Sequence, residues 1–345
     1  MTWTKQKINN LFFFIGVAAV VIMLFTFDVS FPELWEHLCH AGYWLIPIVG
    51  IWLFIYFFNA LAWRAVIRGT MPERDCPVKF LRLYRLTITG YALNYATPVG
   101  GLGGEPYRIM ELSNHIGKQH ATSSVILYAM MHFVAHFFLW FSAIFIYLAL
   151  VLANDLPITP AIAIVLSIIA AFCLLAFYLF AKGYRNGLAR KGIRWIGKLP
   201  GLKKWSERFL VKHDEDLNKI DEQIAKLHAQ SKRAFYTSFS LEYLSRIIQS
   251  LEIFFMLLLF GVNGGGGLEG YLVTFLHSIL ILSFTTLFAN IIGFLPMQLG
   301  VQEGGFVLSI AALGLSAALG VFVSLICRVR EIIWIFIGMA LMKLK

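Results

Sequence analysis

Charged residues are scarce in this sequence, and paired cysteine motifs are missing from it. Only 14% of the 345 residues are Asp, Glu, Lys or Arg, whereas 59% are hydrophobic, and the mean hydropathy is +0.74. A soluble domain carries about 25% charged residues, so the composition indicates a polytopic membrane protein. The four cysteines stand singly, without a Cys-x-x-Cys pair, which argues against a disulfide framework and against a zinc site.

Nucleotide-binding and nucleic-acid-binding motifs are missing too. The glycine-rich stretch 100–104 is not followed by Lys-Ser or Lys-Thr and follows no predicted strand, so it is not a Walker loop. Loop 182–235 holds 14 of the 29 Lys and Arg residues, with no nucleic-acid motif among them. Its basic and aromatic part, 182–204, is typical of a segment at the membrane interface, and 207–233 has the spacing of an amphipathic helix. We therefore predict an anionic bilayer surface as its partner, and no nucleic acid.

Seven apolar runs are long enough to cross, or nearly cross, a bilayer. They are 11–27, 43–63, 121–151, 160–181, 236–260, 271–293 and 305–342. The first run follows two lysines but precedes no small-x-small cleavage site, so we interpret it as a retained span and not as a signal peptide. The last run is long enough for a half-span followed by a full span.

The positions of the basic residues predict the orientation. Segments 28–42, 152–159 and 263–270 contain no Lys or Arg and are predicted to lie outside. Segment 64–85 and loop 182–235 are rich in both and are predicted to be cytoplasmic, as is the C-terminal tail. This distribution predicts a protein of the plasma (inner) membrane with both termini in the cytoplasm.

Two stretches interrupt the apolar sequence with one shared spacing. Pro98 precedes Glu105 by six intervening residues, and Pro296 precedes Glu303 in the same way. An asparagine lies shortly upstream of each, at Asn94 and Asn290. The four glycines within 100–104 disfavour helix strongly. Irregular backbone at membrane depth is tolerated only where protein or water satisfies its polar groups.

The charge pattern around these breaks favours re-entrant hairpins. Segment 79–118 would enter from the cytoplasm, and 271–320 would enter from the opposite face, which makes an inverted repeat. Gly100–Glu105 and Leu299–Gln302 would then be neighbours near the membrane midplane. The predicted fold is an all-α polytopic membrane protein, with about six to eight transmembrane helices in a single domain over 1–345. Eight plain spans with short loops are the alternative, and they also leave both termini inside.

Ionisable residues within spans cost about 2.5–3.5 kcal/mol each on insertion scales, so each needs a partner or a function. The candidates are Glu105, Arg108, Glu242, Arg246, Glu252, Glu303, Arg328, Arg330 and Glu331. Glu105 and Arg108 are three residues apart, and Glu242 and Arg246 are four apart, so each pair can bridge on one helix face. Structural pairing and substrate binding both remain open from this spacing.

Two further features bear on chemistry. His132 and His136 lie one helical turn apart, but Phe133 replaces the glutamate of a His-Glu-x-x-His motif and no third ligand is evident. Hydrogen bonding to other helices or to a substrate is therefore favoured, as for His277, and no metal or other cofactor is predicted. Pro106 suits the first turn of a helix, so a helix is expected to begin at about Glu105, with its amides available to an anion.

The motifs Asn94-Tyr-Ala-Thr-Pro-Val-Gly-Gly-Leu-Gly-Gly-Glu-Pro-Tyr-Arg108 and Leu295-Pro-Met-Gln-Leu-Gly-Val-Gln-Glu-Gly-Gly305 resemble those of the flippase-like family, also called the lysylphosphatidylglycerol synthase transmembrane region. A late Ala-Leu-Gly stretch leading to Arg328 adds to the resemblance. Glu105 stands where many relatives have Asp, and Met297-Gln298 where many have Gly-Gly. The resemblance implies movement of aminoacylated phospholipids, or of glycosylated or phosphorylated polyprenyl lipids, between leaflets. The aminoacyl-transferase domain of longer relatives, and synthesis of lysyl lipid, are not expected.

We therefore expect a lipid flippase and no catalytic residues. The predicted substrate-binding residues are Asn94, Gly100, Gly101, Gly103, Gly104, Glu105, Arg108, His132, His136, Arg246, Asn290, Gln298, Glu303 and Arg328. Arg108 and Arg328 are expected to contact phosphate, because a planar guanidinium suits phosphate oxygens. Glu105 and Glu303 would position those arginines or carry a coupled proton. The alternatives are a membrane enzyme that acts on a lipid-linked substrate and an accessory scaffold for a glycosyltransferase.

Overall fold

The computed structural model describes ten parts of the chain: 39, 41–71, 78–96, 103–185, 188–198, 202–215, 217–218, 221–222, 232–291 and 301–343. The predicted first span, 11–27, lies outside the described residues. So do most of both proline-to-glutamate stretches, including Gly100, Gly101 and Gln298.

The described part of the chain forms eleven α-helices and no strand. A 3-10 turn, Gly42–Trp44, leads into the first of them. In chain order the helices are α1 (Leu45–Thr70), α2 (Phe80–Ala96), α3 (Gly104–Ile116), α4 (Lys118–Leu152), α5 (Pro160–Arg185), α6 (Leu188–Ile196), α7 (Lys203–Lys212), α8 (Lys232–Leu259), α9 (Gly267–Ile291), α10 (Val301–Ala312) and α11 (Ala317–Lys343). The predicted all-α class is thereby confirmed.

Four of the described helical segments are long and apolar enough to cross a membrane. They are Gly42–Thr70, Lys118–Leu152, Pro160–Ala181 and Gly267–Ile291. Helices α8 and α11 have 28 and 27 residues, about 40 Å at 1.5 Å per residue, but each carries charged side chains near its middle. Those charges are buried inside the protein and not exposed to lipid. The chain is an integral membrane protein with apolar helical spans.

Outside loop 182–235, three of the described helices are too short to cross the roughly 30 Å hydrocarbon core of a bilayer. Helices α2, α3 and α10 have 17, 13 and 12 residues, which correspond to about 25, 20 and 18 Å. The start of α3 at Gly104 confirms the helix start predicted from Pro106. The last apolar run divides into α10 and α11, as its length predicts.

Helix packing surrounds a polar centre. Helix α1 packs along α8, α2 packs on both α3 and α11, and α4 contacts α1, α3, α8 and α9. The α2–α11 contact is close because Gly338 has no side chain; a Cβ there would overlap the Cβ of Ala92. Helix α5 packs on α4 and exposes an apolar outer face, as expected of a helix that faces lipid.

Candidate functional site

A cavity of about 370 Å³ lies among α1, α2, α3, α4, α8, α9, α10 and α11. Its lining includes three arginines and three glutamates, whose formal charges cancel. The charged lining residues are Glu105, Arg108, Arg246, Glu252, Arg330 and Glu331. Buried charges are retained only where partners compensate them, so the pairing of each one defines the chemistry of the cavity.

The first charged group is built where α2 meets the start of α3. Asn94 Oδ1, near the end of α2, accepts the Gly104 N–H at 2.6 Å and so satisfies one of the free amides at the start of α3. Arg108, one turn later, donates to Glu105 Oε1 at 2.8 Å. The ion pair predicted from the three-residue spacing is confirmed.

The Arg108 guanidinium is fully enclosed by α2 and by aromatic rings. It also donates to the main-chain carbonyls of Leu86 and Thr87, at 3.4 and 3.2 Å. Its central carbon lies 4.9 Å from the ring centre of Tyr91, a cation–π distance. With 1% of its surface exposed, this arginine ties α3 to α2.

Two glycines permit that arrangement. A Cβ on Gly90 would overlap the Arg108 guanidinium, and a Cβ on Gly104 would overlap the main-chain carbonyl of Gly90. A larger residue at Gly104 would have to move the two helices apart, and one at Gly90 would have to displace the Arg108 side chain. The glycine at the start of α3 therefore serves close packing as well as the break in the helix.

A second charged group joins α1, α8 and α11. Arg330 donates from Nε to Glu252 Oε1 at 2.7 Å, and its guanidinium lies 4.0 Å from the ring centre of Trp52. The Trp52 indole N–H donates to Glu252 Oε2 at 2.9 Å. The three side chains are 2–3% exposed, and they hold three helices together.

A third group links α10 to α11. Arg328 lies 2.7 Å from Glu303 Oε1 and 2.7 Å from Glu331 Oε2. Gln302 Nε2 donates to Glu331 Oε1 at 3.1 Å. Glu303 is thus paired with Arg328, as Glu105 is with Arg108. That these glutamates position the arginines or carry a coupled proton stays a prediction. The Glu303–Arg328 pair is formed between two helices, whereas Glu105 and Arg108 share one helix.

The fourth group contains the loosest ion pair. Glu242, which is fully buried, accepts from Asn59 Nδ2 at 2.8 Å and lies 2.9 Å from Nδ1 of His132. The nearest Arg246 nitrogen is 3.9 Å from Glu242, so the predicted pair forms, but at the limit of an ion-pair contact. Arg246 donates to Gln249 Oε1 at 2.6 Å.

The cavity brings together residues from both predicted halves of the repeat. Of the predicted substrate-binding residues, seven line it: Asn94, Glu105, Arg108, His132, His136, Arg246 and Asn290. Gly103 and Gly104 lie at the start of α3, next to this lining. Glu303 and Arg328 pair beside the cavity without being among its lining residues.

Several lining residues have no counterpart in the sequence-based prediction. Asn59, Trp52 and Gln249 contribute polar groups from α1 and α8. A signal existed for one of them, because Asn59 is an amide within the apolar run 43–63 and a polar residue in a span indicates a buried contact. Trp52 is one of several aromatic residues in the same run, and Gln249 lies in a segment that carries several polar residues, so spacing alone does not single them out.

The histidines are held by hydrogen bonds. His132 contacts Tyr91 and Glu242, and His136 Nδ1 lies 3.0 Å from the His132 main-chain carbonyl. His277 Nε2 lies 2.6 Å from Asp155 Oδ2, joining α9 to the turn after α4. Within the described ranges, no three His, Cys, Asp or Glu side chains are grouped so that they could hold a metal ion.

The family comparison agrees with the motifs. A family model described as "Lysylphosphatidylglycerol synthase TM region" matches residues 13–338, nearly the whole chain, and the chain belongs to this family. Neither the comparison with curated proteins nor the comparison with solved structures found a match.

Proposed function

We propose that this chain, as a member of the lysylphosphatidylglycerol synthase transmembrane-region family, is a lipid flippase. Its substrate would be an anionic or polyprenyl-phosphate-type lipid, with aminoacylated and glycosylated headgroups included. The observation that carries the proposal is the cavity of about 370 Å³ lined by paired charges. Cavities of roughly 300–1,000 Å³ with a few placed polar groups are typical of ligand sites. A headgroup could enter this one while its tails stay in the bilayer.

The short helices support the proposed re-entrant hairpins. Helices α2 and α3 flank the first break and pack against each other, and α9 and α10 do the same around the second. Glu105 and Gln302, which lie shortly after the two breaks, line the same cavity. These observations favour two hairpins with tips that approach each other in an inverted repeat, a common design of transporter sites.

The orientation and surface contacts of the protein are part of the same proposal. The distribution of Lys and Arg supports a protein of the plasma (inner) membrane with both termini in the cytoplasm. Loop 182–235 would then lie on the anionic cytoplasmic leaflet. Exposed tryptophans on α6 and α7, Trp195 and Trp205, support this placement because tryptophan favours the interface.

The test is leaflet exchange in proteoliposomes. Purified protein is reconstituted with fluorescent phosphatidylglycerol or a fluorescent polyprenyl phosphate, and a membrane-impermeant quencher reports the fraction in the outer leaflet. We expect wild-type protein to accelerate exchange of at least one of these lipids. Ala129→Trp should abolish the acceleration, because Ala129 lines the cavity and an indole would fill much of it.

Ala163→Trp is the matched control, since Ala163 lies on the exposed outer face of α5. It should leave exchange unchanged. Wild-type protein that accelerates exchange of none of the anionic or polyprenyl lipids tested would contradict the proposed function. Release of a chemically altered lipid in the same vesicles would instead favour the alternative, a membrane enzyme.

A further inference from the structure

In the part of the chain that the structure describes, four arginines are buried, and they differ in how tightly a carboxylate neutralises each of them. Arg108, Arg328 and Arg330 each place a nitrogen within 2.8 Å of a glutamate oxygen. Arg246 reaches no closer than 3.9 Å to Glu242. Ion-pair energy in a low-dielectric interior falls with distance, and a charge-assisted hydrogen bond needs about 2.7–2.9 Å. Arg246 is therefore the buried arginine with the least compensated charge.

Arg246 is also placed to meet a ligand. It lines the cavity while 6% exposed, and its Nε has no hydrogen-bond partner among the described residues. Its remaining contacts are to Gln249 Oε1 and to the ring nitrogens of His132, at 3.0 and 3.2 Å. Neither of these partners carries a negative charge. An anion in the cavity would supply the partner that this guanidinium lacks.

Glu242 is the reciprocal case among the carboxylates. Glu105, Glu252, Glu303 and Glu331 each have an arginine nitrogen within 2.8 Å. Glu242 has only the Arg246 contact at 3.9 Å, together with neutral donors, and its side chain is fully buried. If an anion draws the Arg246 guanidinium away, Glu242 loses its nearest cationic partner.

His132 provides the link between Glu242 and the cavity. Its Nδ1 lies 2.9–3.0 Å from three atoms: Glu242 Oε2, an Arg246 guanidinium nitrogen and the Tyr91 hydroxyl. One ring nitrogen either donates one hydrogen or accepts one. With a hydrogen on Nδ1, it donates to the Glu242 carboxylate. Without one, it accepts, and Glu242 then needs its own proton to keep the 2.9 Å contact.

We propose that Arg246 binds the phosphate of the lipid headgroup and that one proton is taken up by the Glu242–His132 pair when it does so. This rests on the proposed function and deepens it. In this step, one headgroup anion binds to Arg246, and one proton from the bulk solution is added to the Glu242–His132 pair. His132, which lines the cavity with 20% of its side chain exposed, is the route for that proton. By linkage, lower pH strengthens anion binding.

The charged and titratable groups that face Glu242 come from four helices. They are Tyr91 on α2, Arg108 on α3, Tyr128, His132 and His136 on α4, and Arg246 on its own helix, α8. Helix α1 contributes the neutral amide of Asn59. Arg108 is already paired with Glu105. Arg246 is therefore the cation whose movement would leave Glu242 without a nearby positive charge.

The experiment measures binding of dihexanoyl phosphatidylglycerol to the full-length protein in detergent, by calorimetry between pH 5.5 and 8. The phosphodiester keeps one negative charge over this range. We expect the affinity of wild-type protein to fall as pH rises, approaching tenfold per pH unit for one linked proton. When this lipid is added in weakly buffered solution, the protein should take up one proton from the solution for each lipid bound.

Two substitutions separate the parts of the proposal. Arg246→Gln should weaken binding about ten- to hundredfold, the range expected for a lost charge-assisted contact. Glu242→Gln should leave binding strong and independent of pH, because the amide mimics the protonated carboxyl. Arg233→Gln and Glu269→Gln are the matched controls, since both side chains are exposed on α8 and α9. Both controls should behave as wild type.

Folding is checked by gel filtration and thermal unfolding. If Arg246→Gln does not fold, Arg246→Lys replaces it, and proton uptake by the wild-type protein is still measured. The lysine variant should bind the lipid more weakly than wild type and keep the pH dependence. Binding by Arg246→Gln within twofold of wild type would overturn the proposal. So would wild-type binding that does not change with pH, or a Glu242→Gln variant that keeps the pH dependence.

Inorganic sulfate, a dianion over the same pH range, distinguishes a lipid site from a site for free anions. Binding of sulfate as tight as that of the lipid would overturn assignment to a headgroup. The proposed function can fail separately. If leaflet exchange is absent while Arg246-dependent, pH-linked binding persists, the proposed site stands and the proposed transport is wrong. If Arg246→Gln does not change leaflet exchange, the proposed transport stands and the proposed role of Arg246 is wrong.

Discussion

At the scale of single residues, the buried ion pairs carry the largest energetic consequences. Arg330→Met removes the cation that compensates Glu252, a carboxylate 2% exposed. Removing one partner of a buried pair costs about 3–5 kcal/mol, because the other charge is left without compensation. We expect a loss of stability of this size in denaturant unfolding of the detergent-solubilised protein. Arg330→Met combined with Glu252→Gln should lose less than the sum of the two single changes.

The control for this prediction is a surface pair. Arg190 and Asp214 join the region of α6 to the residues after α7, with side chains 35% and 48% exposed. Exposed pairs contribute less than about 1 kcal/mol because water and salt screen them. Arg190→Gln should therefore change stability only slightly. An Arg330→Met variant that is no less stable than Arg190→Gln would show that the buried pair is not strongly coupled.

At the scale of helices, the contact between α2 and α3 depends on two glycines. Gly104→Ala places a methyl group against the main-chain carbonyl of Gly90, and a backbone cannot move aside as a flexible side chain can. Overpacking of this kind costs about 1–3 kcal/mol. We expect that loss in thermal unfolding, together with slower leaflet exchange, because α3 carries Arg108.

Gly304 offers the matched position on α10, where an added Cβ has nothing within 4 Å among the described residues. Gly304→Ala should be neutral or stabilising by roughly 0.5–1 kcal/mol, since alanine loses less backbone entropy in a helix. If both alanine variants behave alike, packing does not explain the glycine at 104.

Helices α6 and α7 make a second prediction at this scale. They pack against each other through the Ser206 hydroxyl, which donates to the Ile193 carbonyl at 2.7 Å. Trp195 and Trp205 remain 64% and 45% exposed. A nitroxide at Val211→Cys, in a background without native cysteines, should become less accessible to a water-soluble relaxation agent when anionic lipid is added.

The comparison is a nitroxide at Leu268→Cys. Leu268 is 88% exposed and lies in the first turn of α9, which contains the acidic Glu269. Its accessibility should not change with anionic lipid. If the nitroxide at position 211 is equally accessible to the relaxation agent in neutral and in anionic nanodiscs, the proposed contact of loop 182–235 with the anionic surface is wrong.

At the scale of the whole molecule, the hairpin hypothesis predicts slow labelling at both breaks. Gly103 is buried and Val301 is partly buried, and each is next to one of the two breaks. Cysteines at these two positions should react slowly with membrane-impermeant thiol reagents added from either side, except from a side to which the cavity is open. The rate is measured in right-side-out and inverted vesicles.

A cysteine at Val211, which is 82% exposed, sets the rate for a surface position. Labelling of Gly103→Cys and Val301→Cys as fast as Val211→Cys would mean that both breaks are ordinary surface loops. The re-entrant hairpins and the transport mechanism built on them would then be wrong.

Local features of this protein could be predicted from its sequence. Composition determines the membrane class because few apolar helices of this length are soluble. The start of α3 follows from Pro106, and the Glu105–Arg108 pair follows from a three-residue spacing on one helix. Each of these depends only on neighbouring residues, whose relative positions are set once a helix forms.

The partners between distant segments were decided only by the tertiary structure. Glu252 and Arg330 are 78 residues apart, and Asn59 and Glu242 are 183 apart. Which charge compensates which depends on the helices that pack together, and helical spacing carries no information about that choice. The 3.9 Å separation of Arg246 from Glu242 illustrates the difference: their four-residue spacing permits a bridge. Two contacts compete for the Arg246 guanidinium: Gln249 is a local partner on the same helix, whereas His132 on α4 is brought to it only by helix packing.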